Sequence, residues 1–132
     1  MQISTVLGNG MVLQREVQNP VWGYTRPGEK VQLIIGEHHL ETQSDKDGYF
    51  EILLPSMKAG GPWEIRLWDT TGRYVFQDVL FGDVFLLGGQ SNMELPLSWI
   101  WDQVKEELAE IRNEQIRMFD LPKEYDLSLI HI

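Results

Sequence analysis

The chain has 132 residues, 42% of them hydrophobic and 23% charged, values that fit roughly one globular domain and rule out a disordered or low-complexity segment. Twenty acidic residues against eleven basic give a net charge of −9, a balance that repels phosphate backbones and anionic surfaces, so neither a nucleic-acid nor a membrane partner is expected. With no cysteine in the chain, disulfides, thiolate catalysis and zinc–thiolate sites are excluded.

In chain order, Met1 to Leu7 lacks the basic start and long apolar core of a secretory leader, which gives a cytoplasmic expectation. Short β-type runs then follow at the 8–12-residue spacing of a sandwich or barrel. Asn19-Pro20 opens a run through Val21, Trp22 and Tyr24, and Arg26-Pro27-Gly28-Glu29 closes it as a turn. Lys30 to Ile35 places Val31, Leu33 and Ile35 on one face, and Leu40 to Gln43 makes another short run. Asp45-Lys46-Asp47-Gly48 turns into Tyr49 to Leu54, where Phe50, Ile52 and Leu54 share a face. Lys58 to Pro62 reads as a loop, Trp63, Ile65 and Leu67 alternate, and Thr70-Thr71-Gly72 forms a hairpin tip leading into Arg73 to Val79. These strands predict an antiparallel β-sandwich over residues 1–80.

Past residue 80 the period changes. Val84-Phe85-Leu86-Leu87 is apolar on both faces, the pattern of a strand buried between helical layers, and far shorter than the ~20 residues of a membrane helix. From Ile100 to Arg112 the apolar positions Ile100, Val104, Leu108 and Ile111 form one helical stripe. Ser98 stands as its N-cap and Asn113 as its stop. Gln115 to Phe119 reads as a further strand. Strand, helix and strand make a right-handed βαβ unit, so residues 81–132 read as the start of an α/β domain, with the boundary between Val79 and Gly82.

Ligands of open α/β sheets sit beyond the carboxyl ends of strands. Only Gly88-Gly89-Gln90-Ser91-Asn92-Met93 places reactive side chains at such a point. The glycines permit a sharp turn and close backbone approach. Ser91 would then present its hydroxyl, with its own N–H facing a developing oxyanion. The lipase-type elbow requires glycine two residues after the serine, and Met93 stands there instead.

The block from Gly82 to Pro96, GDVFLLGGQSNMELP, resembles the nucleophile block of the sialate O-acetylesterase family of SGNH/GDSL hydrolases. Gly10-Met11-Val12-Leu13-Gln14-Arg15, Val21-Trp22-Gly23, Pro27-Gly28-Glu29-Lys30-Val31 and Lys58-Ala59-Gly60-Gly61-Pro62 are similar to that family's N-terminal β-sandwich, in the same order. The resemblance implies a β-sandwich followed by the start of a flavodoxin-like SGNH hydrolase domain. It implies a serine esterase that removes O-acetyl groups from carbohydrates, sialic acids among them, with no metal and no cofactor. Ser91 matches the nucleophile, its N–H one oxyanion donor, and Gly89, Gln90 and Asn92 the positions that shape the site.

The family's later blocks, an oxyanion glycine and asparagine and an Asp-x-x-His pair, have no match after Pro96. Asp126 and His131 are five apart rather than three and follow Ser91 too closely. A serine without its base is a weak nucleophile, so the chain as written is expected to be a nearly inert, truncated form. Its last six residues, Leu127 to Ile132, fall outside the family pattern and are one translation of CTGTCTCTTATACACATC, a transposase end used in building sequencing libraries. They are therefore read as adaptor sequence.

Other candidates resolve to plainer roles. His38-His39 point to opposite faces of a strand and do not converge on a metal. Asp45-Lys46-Asp47-Gly48 lacks the bidentate glutamate of a calcium loop and reads as a tight turn. Trp22 and Trp63 read as core, whereas Trp99 and Trp101, just past the serine loop, are candidates for lining a substrate cleft. Glu106, Glu107 and Glu110 form a solvated helix face rather than a glycosidase pair. Two rival readings remain at this point: a non-catalytic carbohydrate-binding sandwich, and an acetylxylan-type esterase.

Overall fold

The computed structural model describes residues 1–89, 95–110 and 113–120. Apolar alternation between turn signals folds here as eight strands: β1 (Gln2–Ile3), β2 (Val12–Gln14), β3 (Pro20–Tyr24), β4 (Lys30–Ile35), β5 (His38–Gln43), β6 (Tyr49–Leu53), β7 (Gly60–Trp68) and β8 (Arg73–Gly82). A 3₁₀ turn (Leu97–Ile100) then leads into one helix, α1 (Trp101–Glu110). The strands form a three-stranded sheet in the order β1-β3-β6 and a five-stranded sheet in the order β2-β8-β7-β4-β5.

Side-chain alternation puts one face of each sheet into a single core. Val21, Phe50 and Ile52 enter it from the smaller sheet, and Val31, Leu33, Ile35, Ile65, Leu67, Phe76, Val79 and Phe81 from the larger. Register makes the contacts: Val21 lies opposite Ile52, Leu33 opposite Leu67, and Ile65 opposite Phe76. Each such fully buried side chain is worth about 1.5–3 kcal/mol over an exposed one.

Two turns show how the sequence sets these strands. Asp45 Oδ1 accepts the N–H groups of Asp47 and Tyr49, both at 2.9 Å, and Gly48 adopts φ +83°, so the turn delivers Tyr49 onto β3. On β8, Phe76 faces Ile65 while Val79 faces Trp63, which places one extra residue on β8. Asp78, at φ +58°, sits in this bulge. The bulge resets the alternation so that Val79 and Phe81 stay in the core.

Several expectations are corrected. Strands β1 and β2 were not legible, being two and three residues long, and β2 pairs parallel to β8, so the sheets are not wholly antiparallel. β7 starts at Gly60, inside the predicted loop, and β8 continues to Gly82, three residues beyond the predicted run from Arg73 to Val79. Val84 to Leu87 is exposed and forms no strand. Gln115 to Phe119 is not a strand either; Glu114 and Gln115 form a turn and irregular chain follows. The physical reason is shared. A central parallel strand exists only with neighbours that satisfy its peptide groups on both sides, and no strand lies beside either segment among the described residues. The βαβ unit is therefore not formed there. Helix α1 keeps the predicted stripe, with Ile100, Val104 and Leu108 half-buried. Ser98, however, lies within the 3₁₀ turn, whose cap is Pro96 with no side-chain bond; Ile111 and Arg112 are outside the described residues.

Candidate functional site

The chain leaves β8 towards the glycine–serine block under tight control. Gln14, at the end of β2, is paired in register with Gly82, and the N–H of Arg15 donates to the Gly82 carbonyl at 2.9 Å. Arg15 Nε donates to Asp83 Oδ1 at 2.8 Å, and the Val84 N–H donates to Gln14 Oε1 at 2.9 Å. The bond to Asp83, its charge and that of Glu16 raise the Arg15 pKa above its ordinary value. The parallel β2–β8 pairing thus sets Gln14 and Arg15, at the end of one motif block, beside Gly82 to Val84, the start of the other, at one edge of the five-stranded sheet.

A second anchor holds the chain after α1. Arg117 Nη1 donates to the carbonyls of Gly10, at 2.9 Å, and Asp78, while Nη2 donates to Asp78 Oδ1 at 2.9 Å. The guanidinium side chain is largely covered. It docks on the β8 bulge, whose left-handed residue turns both a carbonyl and a carboxylate towards it.

Gly89 lies in exposed irregular chain. Ser91, Gln90 and Asn92 are outside the described residues, as are Asp126 and His131. Trp99 and Trp101 are 76% and 53% exposed at the start of the helical segment, available to a ligand rather than packed. Trp63 packs against the core, and Trp22 is half-buried on β3. His38 and His39 are exposed at the start of β5, and among the described residues no cluster of metal-ligating side chains occurs. Asp45 to Gly48 is the predicted turn. Arg15, Asp83, Asp78 and Arg117 carry no individual signal in the sequence. Arg15 and Asp83 fall within the recognised motif blocks, but their pairing depends on the parallel β2, which is too short to show a period.

The mostly-sheet fold matches a class of solved esterases. It superimposes on a carbohydrate acetylesterase from Xanthomonas citri with a TM-score of 0.70 and 37% sequence identity, covering 74% of this chain and 22% of that one. Among curated proteins, the chain is similar to the sialate O-acetylesterase of Mus musculus, 31% identical over 131 residues and 91% of the chain. It is also similar to that of Homo sapiens, 33% identical over 117 residues and 80% of the chain. No family model matches. The resemblance to the sialate O-acetylesterases carried by the motif blocks thus extends along nearly the whole chain, which spans 24% and 22% of the length of these two relatives.

Proposed function

We propose that this chain carries the sheet unit and the nucleophile segment of a serine esterase that removes O-acetyl groups from carbohydrates, sialic acids being the first substrate class to test. The two sheets are read as a β-sandwich, and the segment after Gly82 as the first part of an SGNH-type hydrolase domain. The observation that supports this best is the clamp of Gln14 and Arg15 on Gly82, Asp83 and Val84. It joins two family-like blocks across the fold at the point where the chain leaves the sheet, a few residues before the Gly-Gly-Gln-Ser-Asn block.

In this reading the Ser91 hydroxyl oxygen attacks the acetyl carbonyl carbon. A bond forms to the seryl oxygen, the sugar oxygen leaves carrying a proton, and water then splits the acetyl-serine to release acetate and restore the hydroxyl. The Ser91 N–H is one donor to the oxyanion, worth about 3–4 kcal/mol at such sites, while Gly89, Gln90 and Asn92 shape the turn. The steps need neither metal nor cofactor. They do need a base, and no Asp-x-x-His follows Pro96. Turnover by these 132 residues alone is therefore expected to fall short of a complete triad by a factor on the order of 10⁶.

The test is covalent labelling of the gene product extended downstream. A fluorophosphonate should label it at Ser91, and acetate release should be faster from acetylated sialic acid than from acetylxylan. Faster release from acetylxylan would move the substrate class; labelling that survives Ser91→Ala would remove Ser91 from the mechanism.

A further inference from the structure

Ile65 and Leu67 of β7 are fully buried, so alternation sends Glu64, Arg66 and Trp68 to the outer face of the five-stranded sheet. Register then draws a row across four strands. Glu41 lies opposite Gln32, Gln32 opposite Trp68, and Trp68 opposite Arg73. An indole is thus flanked by an amide on one side and a guanidinium on the other, with side chains about 5 Å apart at Cβ. The β7–β8 hairpin bounds an open concavity of about 760 Å³ at one end of this row, with Trp68, Arg66, Arg73 and Tyr74 in its lining; Gln32 lies beside it, next to Trp68 on β4.

The charges around this row are unequally committed. Arg66 is paired with Glu64 at 2.6 Å and Lys30 with Glu41 at 2.7 Å. Asp69 also lines the concavity, but its oxygens accept bonds from Thr25, Thr71 and Gly72 within the turn. Among the described residues Arg73 takes part in no salt bridge. In a chain of net charge −9, an exposed guanidinium without a carboxylate partner, set beside an aromatic ring, is suited to a ligand that brings its own anion. A sugar ring offers an apolar C–H face to the indole and hydroxyls to Gln32; a carboxylate on that ring would engage Arg73 in a charge-assisted bond.

We propose that this outer face is a binding site for a carboxylate-bearing sugar, with Trp68 as platform, Gln32 as hydroxyl contact and Arg73 as carboxylate contact. The site is remote in sequence from Ser91 and stands or falls independently of the esterase reading. The test is a nuclear magnetic resonance titration of the isotope-labelled 132-residue chain, following the Trp68 indole N–H. The probes are the methyl glycoside of N-acetylneuraminic acid, methyl galactoside as neutral sugar, and acetate as bare carboxylate. The acidic sugar should give saturable shifts with a dissociation constant on the order of 1 mM, with the neutral sugar weaker by about tenfold, the effect of one bond to a charged group. Arg73→Gln should erase that difference, and Trp68→Ala should abolish binding of both sugars. Arg73 is exposed on β8, so its variant reports even if the tryptophan variant alters the sheet. No shift at concentrations well above that constant, an equal response to acetate, or undiminished acidic-sugar binding in Arg73→Gln would each overturn the proposal.

Discussion

Asp69 shows how much one side chain at a turn can fix. Its Oδ1 accepts the Thr71 N–H and hydroxyl, both at 2.7 Å, and the Gly72 N–H at 2.9 Å; Oδ2 accepts the Thr25 hydroxyl from β3's end at 2.5 Å. It therefore both closes the β7–β8 hairpin and ties it to the chain just after β3. Burial alone would push the carboxyl up, but these hydrogen bonds outweigh it and hold its pKa below the ordinary value. Stability from a depressed carboxylate is present above its unfolded pKa of about 4 and lost as pH falls through the folded value. Asp69→Ala should thus cost about 1–2 kcal/mol at pH 7, and urea midpoints should show the gap to the parent narrowing as pH falls from about 4 through the lowered folded value. Gly48 is the other position where one atom decides. A Cβ there would meet the Thr25 carbonyl oxygen at 2.3 Å, on a backbone with φ +83°. The oxygen belongs to the main chain and cannot swing aside, so Gly48→Ala should cost at least about 3 kcal/mol, measurable as a lowered melting temperature.

At the scale of elements, what the sequence disclosed follows from period and length. Strands β3, β4 and β6 were legible because Val21, Val31, Leu33, Phe50 and Ile52 alternate between turns with Gly and Asp. Strands β1 and β2 were not, because two or three residues carry no period. Their places are set by Gly23, where a Cβ would lie 2.2 Å from the Gln2 carbonyl oxygen, and by the β8 edge. The β8 bulge was also hidden, since Gln77 and Asp78 interrupt the alternation without a glycine to announce it. Of the candidate site, the motif block was legible and its clamp was not: Arg15 and Asp83 are 68 residues apart, and only the parallel pairing unites them. The bulge has a measurable consequence. Arg117→Ala removes three bonds to Gly10 and Asp78, so proteolysis between Asn113 and Asp120 should speed up as that segment loses about 1–3 kcal/mol of local stability. The melting of the sheets should stay nearly unchanged, because Val79 and Phe81 keep their places. Lysine at this position should not restore protection, since one ammonium cannot span the carbonyls and the carboxylate with a planar fork.

For the whole molecule the contrast lies between two distributions of apolar surface. Val31, Leu33, Ile35, Ile65 and Leu67 are wholly covered, whereas Phe85 is 80%, Leu86 88% and Met118 93% exposed. Val84, Leu87, Trp99, Ile116 and Phe119 are exposed as well. Apolar groups of this size are normally covered in a monomer, and clusters of them mark surfaces that bind something. In the proposed hydrolase, Val84 to Leu87 would lie between helical layers, so the residues that look misplaced here are those suited to an interior. The 132-residue chain should therefore self-associate as concentration rises and bind a hydrophobic dye, while retaining the cooperative melt of its two sheets. Replacing Phe85 and Leu86 together by serine should reduce both effects without lowering that melting temperature, because neither side chain belongs to the core. Sedimentation and dye fluorescence on the same samples separate the outcomes. A parent chain that stays monomeric and dye-silent would mean that these side chains find cover within the chain itself, and would count against the nucleophile segment as an interior element awaiting its neighbours.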